Sequence, residues 1–363
     1  MAQLHVALVT PLTGSLSLFG RTCATALTLW AKRAAHLPSP WTEVALDVRD
    51  TGNDVGAAIR AAEETSPDAL FGPYGSGPML SAARACERVL WNHGGASSRL
   101  ARPTFPKVIN VLSPASTYFA GVLQAAQTFD PTIKTVSLFH STTGFGQEVA
   151  TGAIGIASTL QLAVQSASFN LSQALATVSA VPNGDVLLVV GNFADELAVA
   201  PLLLARPWRF AAFVGAGVEE VLAPLGDQRE GLLGPAQWVK TAVIEPDEGP
   251  DGEWFAAAYR GEKGTDPPYA AAQAFAAGLL YARCLRDAGD THDAALQAAA
   301  QKLRCTTLYG LFQLDPLSGL QTGHHVQIVQ WQHGQRRVVW PPEQAECPVL
   351  FPFKHEGHVE GGS

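Results

Sequence analysis

Charge is scarce in this chain: only 15% of its 363 residues are Asp, Glu, Lys or Arg, and the net charge is −8. No cluster of lysine or arginine occurs, so neither nucleic acid nor an anionic membrane surface is an expected partner. Apolar stretches such as Tyr269–Ala282 fall short of a membrane span. The five cysteines (Cys23, Cys86, Cys284, Cys305 and Cys347) are scattered, and no pair has CxxC or zinc-ligand spacing. No metal site and no cofactor are therefore expected. A bridge between Cys284 and Cys305, placed on consecutive predicted helices, stays open for an oxidising compartment. No Gly-x-Ser-x-Gly surrounds any serine, and His140, His324, His325 and His333 stand beside no matching Ser/Asp arrangement. His324 and His325 are expected on the surface at a strand start, and no catalytic role is assigned. Thr10–Gly14, after the first strand, does not supply the Gly-x-Gly-x-x-Gly of a dinucleotide-binding enzyme. No secretory leader precedes the strand Leu4–Val9, and no helix-turn-helix fits before it. Either a leader was removed or the protein is cytoplasmic.

What is present is core-forming material. Hydrophobic residues make up 47% of the chain, with 34 glycines and 24 prolines, enough for two domains with many βα turns. The strands Leu4–Val9, Trp41–Val48, Ala69–Phe71 and Val108–Leu112 alternate with the helices Thr22–His36, Asp54–Thr65 and Met79–Leu90. The pattern restarts with a helix, Tyr118–Thr128. The strands Thr135–His140, Gln165–Phe169, Asp185–Val190, Arg209–Val214 and Ala236–Val239 follow, with the helices Glu148–Leu160, Ser172–Val178 and Asp195–Leu204 among them. The last third is predicted as the helices Glu253–Arg260, Tyr269–Ala288 and Asp293–Leu303. After them come a short strand at Phe312–Leu314, a turn at Asp315–Gly319, and a hairpin of Val326–Trp331 with Val338–Trp340. Repeated βα units imply parallel sheets with right-handed crossovers. The fold class is α/β, with two doubly wound domains whose ligands bind at the carboxyl ends of the strands.

The stretch Asp68–Leu90 is the most pointed. A short strand runs into Gly72-Pro73-Tyr74-Gly75-Ser76-Gly77, and Pro78 suits the first position of a helix. A helix N-terminus of this kind aims backbone N–H groups and a serine hydroxyl at an anion. Gly72-x4-Gly77 has the spacing of a phosphate loop, but Pro78-Met79 stand where Lys and Ser/Thr belong, so a small carboxylate is expected rather than a nucleotide.

Several segments, in order, resemble the type I periplasmic binding proteins, the solute receptors of ABC importers, in the branch that binds leucine, isoleucine and valine. They are Val6–Gly14 with Phe19-Gly20, Val48–Thr51 with Asp54, Phe71–Ser76, Gly144-Phe145-Gly146, Gly191-Asn192-Phe193, Glu230–Leu233, and Tyr309-Gly310 with Phe312, Asp315 and Gly319. The resemblance extends to about Phe351. It implies two Rossmann-like lobes joined by three crossing hinge segments, closing like a Venus flytrap on a ligand in the cleft. The lobes would be residues 1–116 plus 242–324 and residues 117–241 plus 325–351, with 352–363 as a flexible tail. It also implies a membrane permease as partner, a monomer, an extracytoplasmic location and no enzymatic activity. A cytosolic amide or amino-acid sensor of the same fold, regulating gene expression, is the alternative if the native gene lacks a leader.

Site residues follow from the same resemblance. Ser76 matches the carboxylate-binding serine, flanked by Tyr74 and Gly75; its other role would be to cap the helix at Pro78. In Trp91–Ser98 the family's threonine position falls on Ala96, with Gly95 allowing close approach and Ser97 or Ser98 as substitutes. Phe19, Phe145 and Phe193 stand where the amino-acid receptors carry tyrosine, which implies an apolar wall. Gly217 stands close to where those receptors place the acid that pairs with the ligand's ammonium. Glu219 reaches it only if the turn is shifted. Trp238 is either a ligand contact or a core residue. The expected ligand is a small carboxylate: an apolar amino acid, or a related aromatic or aliphatic acid.

Overall fold

A computed structural model of the chain describes residues 2–33, 37–219, 221–242 and 244–353. It divides into two compact units, Met1–Pro114 with Trp238–His325, and Ala115–Gln237 with Val326–Ser363. The second division falls before Trp238, four residues earlier than the resemblance implies. Trp238 is buried against Phe255, and its indole N–H donates to the Leu308 carbonyl at 3.0 Å, which ties it to the first unit.

The first unit is built on a five-stranded parallel sheet of order β2-β1-β3-β4-β5. Its strands are β1 (Ala2–Thr10), β2 (Trp41–Asp50), β3 (Ala69–Phe71), β4 (Leu90–Asn92) and β5 (Val108–Asn110). Helices α1 (Ser17–Ala31), α2 (Val55–Glu63) and α3 (Ser76–Ala85) connect them. From the second segment of the unit come α8 (Gly252–Lys263), α9 (Tyr269–Ala288), α10 (Asp293–Lys302) and the hairpin β11 (Arg304–Thr307) with β12 (Gly310–Gln313). Helix α9 is alanine-rich and buried almost all round, the mark of a helix packed on several sides. Trp30 of α1 lies directly over Gly278, whose absent side chain lets the two helices touch. Trp30, Phe71, Trp91 and Tyr281 then form a ring cluster, with neighbouring centroids 5.6–6.3 Å apart.

The second unit has a seven-stranded sheet of order β14-β13-β10-β9-β8-β6-β7. The parallel part is β6 (Thr135–Ser141), β7 (Ala163–Phe169), β8 (Val186–Val190), β9 (Phe210–Phe213) and β10 (Leu233–Ala236). The hairpin β13 (Gln327–Gln332) and β14 (Gln335–Trp340) adds antiparallel to β10. Helices α4 (Ala120–Phe129), α5 (Gly144–Thr159), α6 (Ala174–Thr177) and α7 (Phe193–Leu204) complete the unit. β8 is buried at every position, as a central parallel strand covered on both faces should be.

Several expectations are corrected. Helix α3 begins at Ser76 and stops at Ala85, and Leu90 opens strand β4. Val89, Leu90 and Trp91 are all buried, and an apolar run is helix-like by composition until the sheet claims it. The strand expected at Ala236–Val239 lies at Leu233–Ala236, registered by β13. Cys284 on α9 and Cys305 on β11 are both free thiols. His324 is buried, with its ring stacked 4.2 Å from that of Tyr309. The Ser113 hydroxyl donates to the His324 carbonyl at 2.8 Å, so it accepts from the ring Nδ1–H at 2.6 Å. Of the expected flexible tail, Phe353 is buried in the core of the second unit; residues 354–363 lie outside those described, as does His36, where the first helix was expected to end.

Helix α5 holds two glycines with opposite surroundings. A Cβ on Gly152 would fall 1.8 Å from the Ser116 carbonyl oxygen, whereas one on Gly155 would meet nothing within 4 Å. In a free helix position, alanine is better than glycine by ~1 kcal/mol, while overpacking costs ~1–3 kcal/mol. Gly155→Ala should therefore raise the thermal midpoint and Gly152→Ala lower it. Equal shifts in calorimetry would refute the close packing of α5 on Ser116.

Candidate ligand-binding site

Both sheets have their parallel strands in the order 2-1-3-4-5 when numbered within the unit. In such sheets the chain reverses direction between the first and third strands, which leaves a crevice beyond their carboxyl ends. In the first unit that point lies between β1 and β3. In the second it lies between β6 and β8. The turns that follow these four strands carry Phe19, Tyr74–Ser76, Phe145 and Phe193. The topology therefore brings Phe19 and Tyr74–Ser76 to the switch point of the first unit, and Phe145 and Phe193 to that of the second.

In the first unit, Asp50 shapes the loop after β1. Its carboxylate accepts from the Leu12 N–H at 2.8 Å and the Thr13 hydroxyl at 2.7 Å. The Thr13 hydroxyl, then the Leu12 amide, hold this carboxyl below its ordinary range. The loop delivers Phe19 on α1, which stacks on Tyr74 with centroids 4.7 Å apart and planes 11° from parallel. The Tyr74 hydroxyl is hydrogen-bonded to that of Tyr269, the first residue of α9. Sequence reading missed Tyr269, because nothing local separates a functional aromatic from a helix-starting one.

Gly75 is the N-cap of α3, at φ +101°, and a Cβ there would approach Leu16 to 2.9 Å. Only glycine suits that conformation. Ser76 is thus the first helical residue rather than the N-cap. The amides of Ser76 and Gly77 have no intrahelical carbonyl to meet, and the dipole of the helix favours an anion there. Pro78 removes the next amide. Against this turn lies the one after β4. The Gly75 N–H donates to the Gly94 carbonyl at 2.9 Å. A Cβ on Gly94 would fall 2.5 Å from the Tyr74 Cα, and one on Gly95 would fall 2.5 Å from the Met79 Cβ. Ala96 and Ser97 close the turn, and the Ser97 hydroxyl accepts from the Arg99 N–H at 3.3 Å. His93 is fully buried, and desolvation lowers its pKa to about 4. It is neutral at pH 7 and gives a carboxylate no cation. The polar groups these turns offer are amides and a hydroxyl. Trp238 stands apart, its indole N–H spent on Leu308.

In the second unit, Thr143 caps α5 by accepting from the Gly146 N–H at 3.1 Å, which sets Phe145 in the first turn. Phe145 meets Tyr118 edge-on, with centroids 5.9 Å apart. The Tyr118 hydroxyl accepts from Gln237 Nε2 at 3.1 Å, and burial pushes the phenol up to about 12. Asn192 caps α7 and sets Phe193 as its first residue. After β9, the 3-10 turn Val214–Gly217 is pressed onto β10: a Cβ on Gly217 would sit 1.8 Å from the Pro235 carbonyl oxygen. No acid can stand at Gly217. Glu219 is exposed and pairs with Arg336 Nη2 at 2.9 Å, while Arg336 Nη1 donates to the Gly217 carbonyl at 2.6 Å. The shift of the turn that would free Glu219 does not occur. The neighbouring acids are also engaged. Asp195 accepts from the Ser172 N–H at 3.0 Å. Glu196, fully buried, accepts from the Gly191 N–H at 3.1 Å and the Gly215 N–H at 2.7 Å. Glu196 thereby ties the turn after β8 to the turn after β9, a role no local sequence signal announces.

Among the described residues no cluster of His, Cys, Asp and Glu is disposed to hold a metal ion. Among the described residues no helix is long and apolar enough to cross a membrane.

The family model described as periplasmic binding protein matches residues 3–336. No protein among the curated ones matches the chain. The fold is similar to that of a leucine-binding protein from Thermotoga maritima MSB8, at 18% identity and a TM-score of 0.77, over 92% of this chain and 97% of that one. It is also similar to an ABC-transporter solute-binding protein from R. palustris in complex with benzoate. That match has 14% identity and a TM-score of 0.74, over 96% and 98% of the two chains. A third is a solute-binding protein of an ABC transporter from Rhodopseudomonas palustris BisB5, in complex with 3,4-dihydroxybenzoic acid. It has 14% identity and a TM-score of 0.77, over 98% and 99%. At these identities the likeness is one of fold.

Glu196 has a measurable pH signature. Burial is the dominant effect on its carboxyl and raises the pKa from 4.5 to about 8, against the two amides that favour the anion. A folded-state pKa above the unfolded one means stability that is complete below pH ~4.5 and is lost as pH rises through ~8. Glu196→Gln should flatten that decline in denaturant midpoints between pH 5 and 8.5. An unchanged slope would show that the carboxyl is ionised throughout.

Proposed function

This chain is a member of the periplasmic binding protein family, and from that premise we propose that it is the extracytoplasmic solute receptor of an ABC importer, selective for a small apolar carboxylate that carries no ammonium. The half-site of the first unit takes the carboxylate, through the amides of Ser76 and Gly77, the Ser76 hydroxyl and the turn Gly95–Ser97. In the second unit, Phe145 and Phe193 supply an apolar wall suited to such a solute. The observation that carries the reading is the Gly217 turn, where the Pro235 carbonyl leaves no room for a side chain and Arg336 occupies Glu219. A buried ammonium without a carboxylate costs several kcal/mol. The two similar proteins solved with benzoate and 3,4-dihydroxybenzoic acid are consistent with an aromatic acid. The partner is a membrane permease.

One observation favours a second reading. Glu148 stands one helical turn beyond Phe145 and close enough to Tyr118 to raise its phenol. It is the acid that would meet an ammonium if the ligand were an amino acid.

A thermal-shift panel of benzoate, 4-hydroxybenzoate and leucine separates the two. A solute at 100 times its Kd adds ~2.7 kcal/mol of stability. Benzoates are expected to raise the midpoint and leucine to leave it unchanged; stabilisation by leucine alone, abolished by Glu148→Gln, would overturn the ammonium-free reading. Ser76→Ala removes one charge-assisted hydrogen bond, worth ~1.5–3 kcal/mol, so titration calorimetry should show binding weaker by roughly 10- to 100-fold. Unchanged affinity would take Ser76 out of the site.

A further inference from the structure

We infer that Asn92 and Asn110, at the ends of neighbouring strands, are positioning residues that hold the turn Gly94–Ser97 in its binding shape and tie it to the remote turn Asp315–Gly319. This rests on the proposed role of that turn in holding the solute's carboxylate. Both side chains are buried, and the register pairs Asn92 on β4 with Asn110 on β5. Asn92 Oδ1 accepts from the Gly94 N–H at 3.2 Å and the Gly95 N–H at 2.7 Å. Its Nδ2 donates to the Gly95 carbonyl at 2.7 Å and to Asn110 Oδ1 at 2.8 Å. Asn110 Nδ2 donates to the carbonyls of Leu100 at 3.2 Å and Gly319 at 3.0 Å.

The orientation of both amides is forced. Backbone N–H groups face one end of Asn92 and backbone carbonyls face the donor end of Asn110, so neither can flip without setting donor against donor. Every proton and one lone pair or more of each side chain is used. A fully satisfied buried network of this kind fixes a single geometry. The far end is equally defined. Asp315 Oδ1 accepts from the Ser318 N–H at 2.6 Å and the Ser318 hydroxyl at 2.7 Å, and the Gly319 N–H returns to the Asp315 carbonyl at 2.8 Å. Two asparagines therefore connect a self-contained turn, distant in sequence, to the backbone that receives the ligand.

Asn92→Leu removes all four bonds of Asn92 at nearly constant size. Asn92→Asp keeps the two acceptor bonds to Gly94 and Gly95 and loses the donors. Hydrogen exchange at the Gly94 and Gly95 amides of the full chain should quicken strongly in the leucine variant and far less in the aspartate variant. Affinity, measured with whichever of benzoate, 4-hydroxybenzoate or leucine binds the wild-type protein, should fall about tenfold or more in the leucine variant and be partly restored by aspartate. Gly152→Ala, a destabilising change in the other unit, serves as the stability control and should leave affinity unchanged. The inference is overturned if Gly94 and Gly95 exchange at the wild-type rate in both variants, or if affinity follows thermal midpoint alone across the three. If none of the three solutes binds the wild-type protein, the proposed ligand class fails. The exchange rates still decide whether the two asparagines hold the turn.

Discussion

Backbone pressed on backbone, with no side chain between, is the constraint on which the rest of this structure depends. Gly94 lies on the Tyr74 backbone and Gly217 on the Pro235 carbonyl, and in both cases even a methyl group would collide. Contacts this close bring the turns at the carboxyl ends of the strands within reach of one another. They also turn the peptide groups themselves into the lining of the site. A carboxylate suits such a lining, since it is all acceptor and the turns are rich in amide donors. The glycines that look in sequence like loop filler are therefore what holds the turns after β3 and β4 together in the first unit.

The same constraint disposes of the acids in the second unit. Because Gly217 is packed against β10, the turn has to be stabilised from outside, and Arg336 does so through the Gly217 carbonyl and Glu219. Glu196 plays the corresponding part from beneath, with both carboxyl oxygens given to turn amides. Each acid is thus engaged in holding a turn in place. The acids beside these turns are already engaged, by backbone amides and by Arg336.

Much of the fold was legible in the sequence, and the parts that were not share a cause. Alternation of strand and helix located the parallel strands except β4, which was missed, and β10, which was placed three residues late, while α9 was placed residue for residue, since a long alanine-rich run has a strong helical signal. Ser76 was readable from its own glycine-rich turn, whereas Phe19, Phe145 and Phe193 were singled out only through the family resemblance of their segments. Leu90 was read as helix because only pairing with β3 and β5 makes it a strand. His324 was placed on the surface because its partners, Ser113 and Tyr309, are distant in sequence or become adjacent only through the hairpin. Glu196, Arg336 and Tyr269 were missed for the same reason. Each acts on a turn that its own neighbours in sequence do not reveal.

Binding through main-chain groups also divides the labour of recognition. Amides at a helix N-terminus read charge and shape but are indifferent to what hangs from the carboxylate, and evolution cannot retune them by substitution without breaking the glycine contacts. Under the proposed function, selectivity is left to side chains that are free to vary, Phe145 and Phe193 at the starts of α5 and α7. A phenylalanine in place of a tyrosine removes one hydroxyl while leaving the ring to fill the same volume. That change favours solutes with no polar group to satisfy, because an apolar wall gives such a group no partner. On the proposed reading, a small number of substitutions at helix starts would redirect such a receptor among carboxylates, while the glycine-bound turns keep the carboxylate end constant.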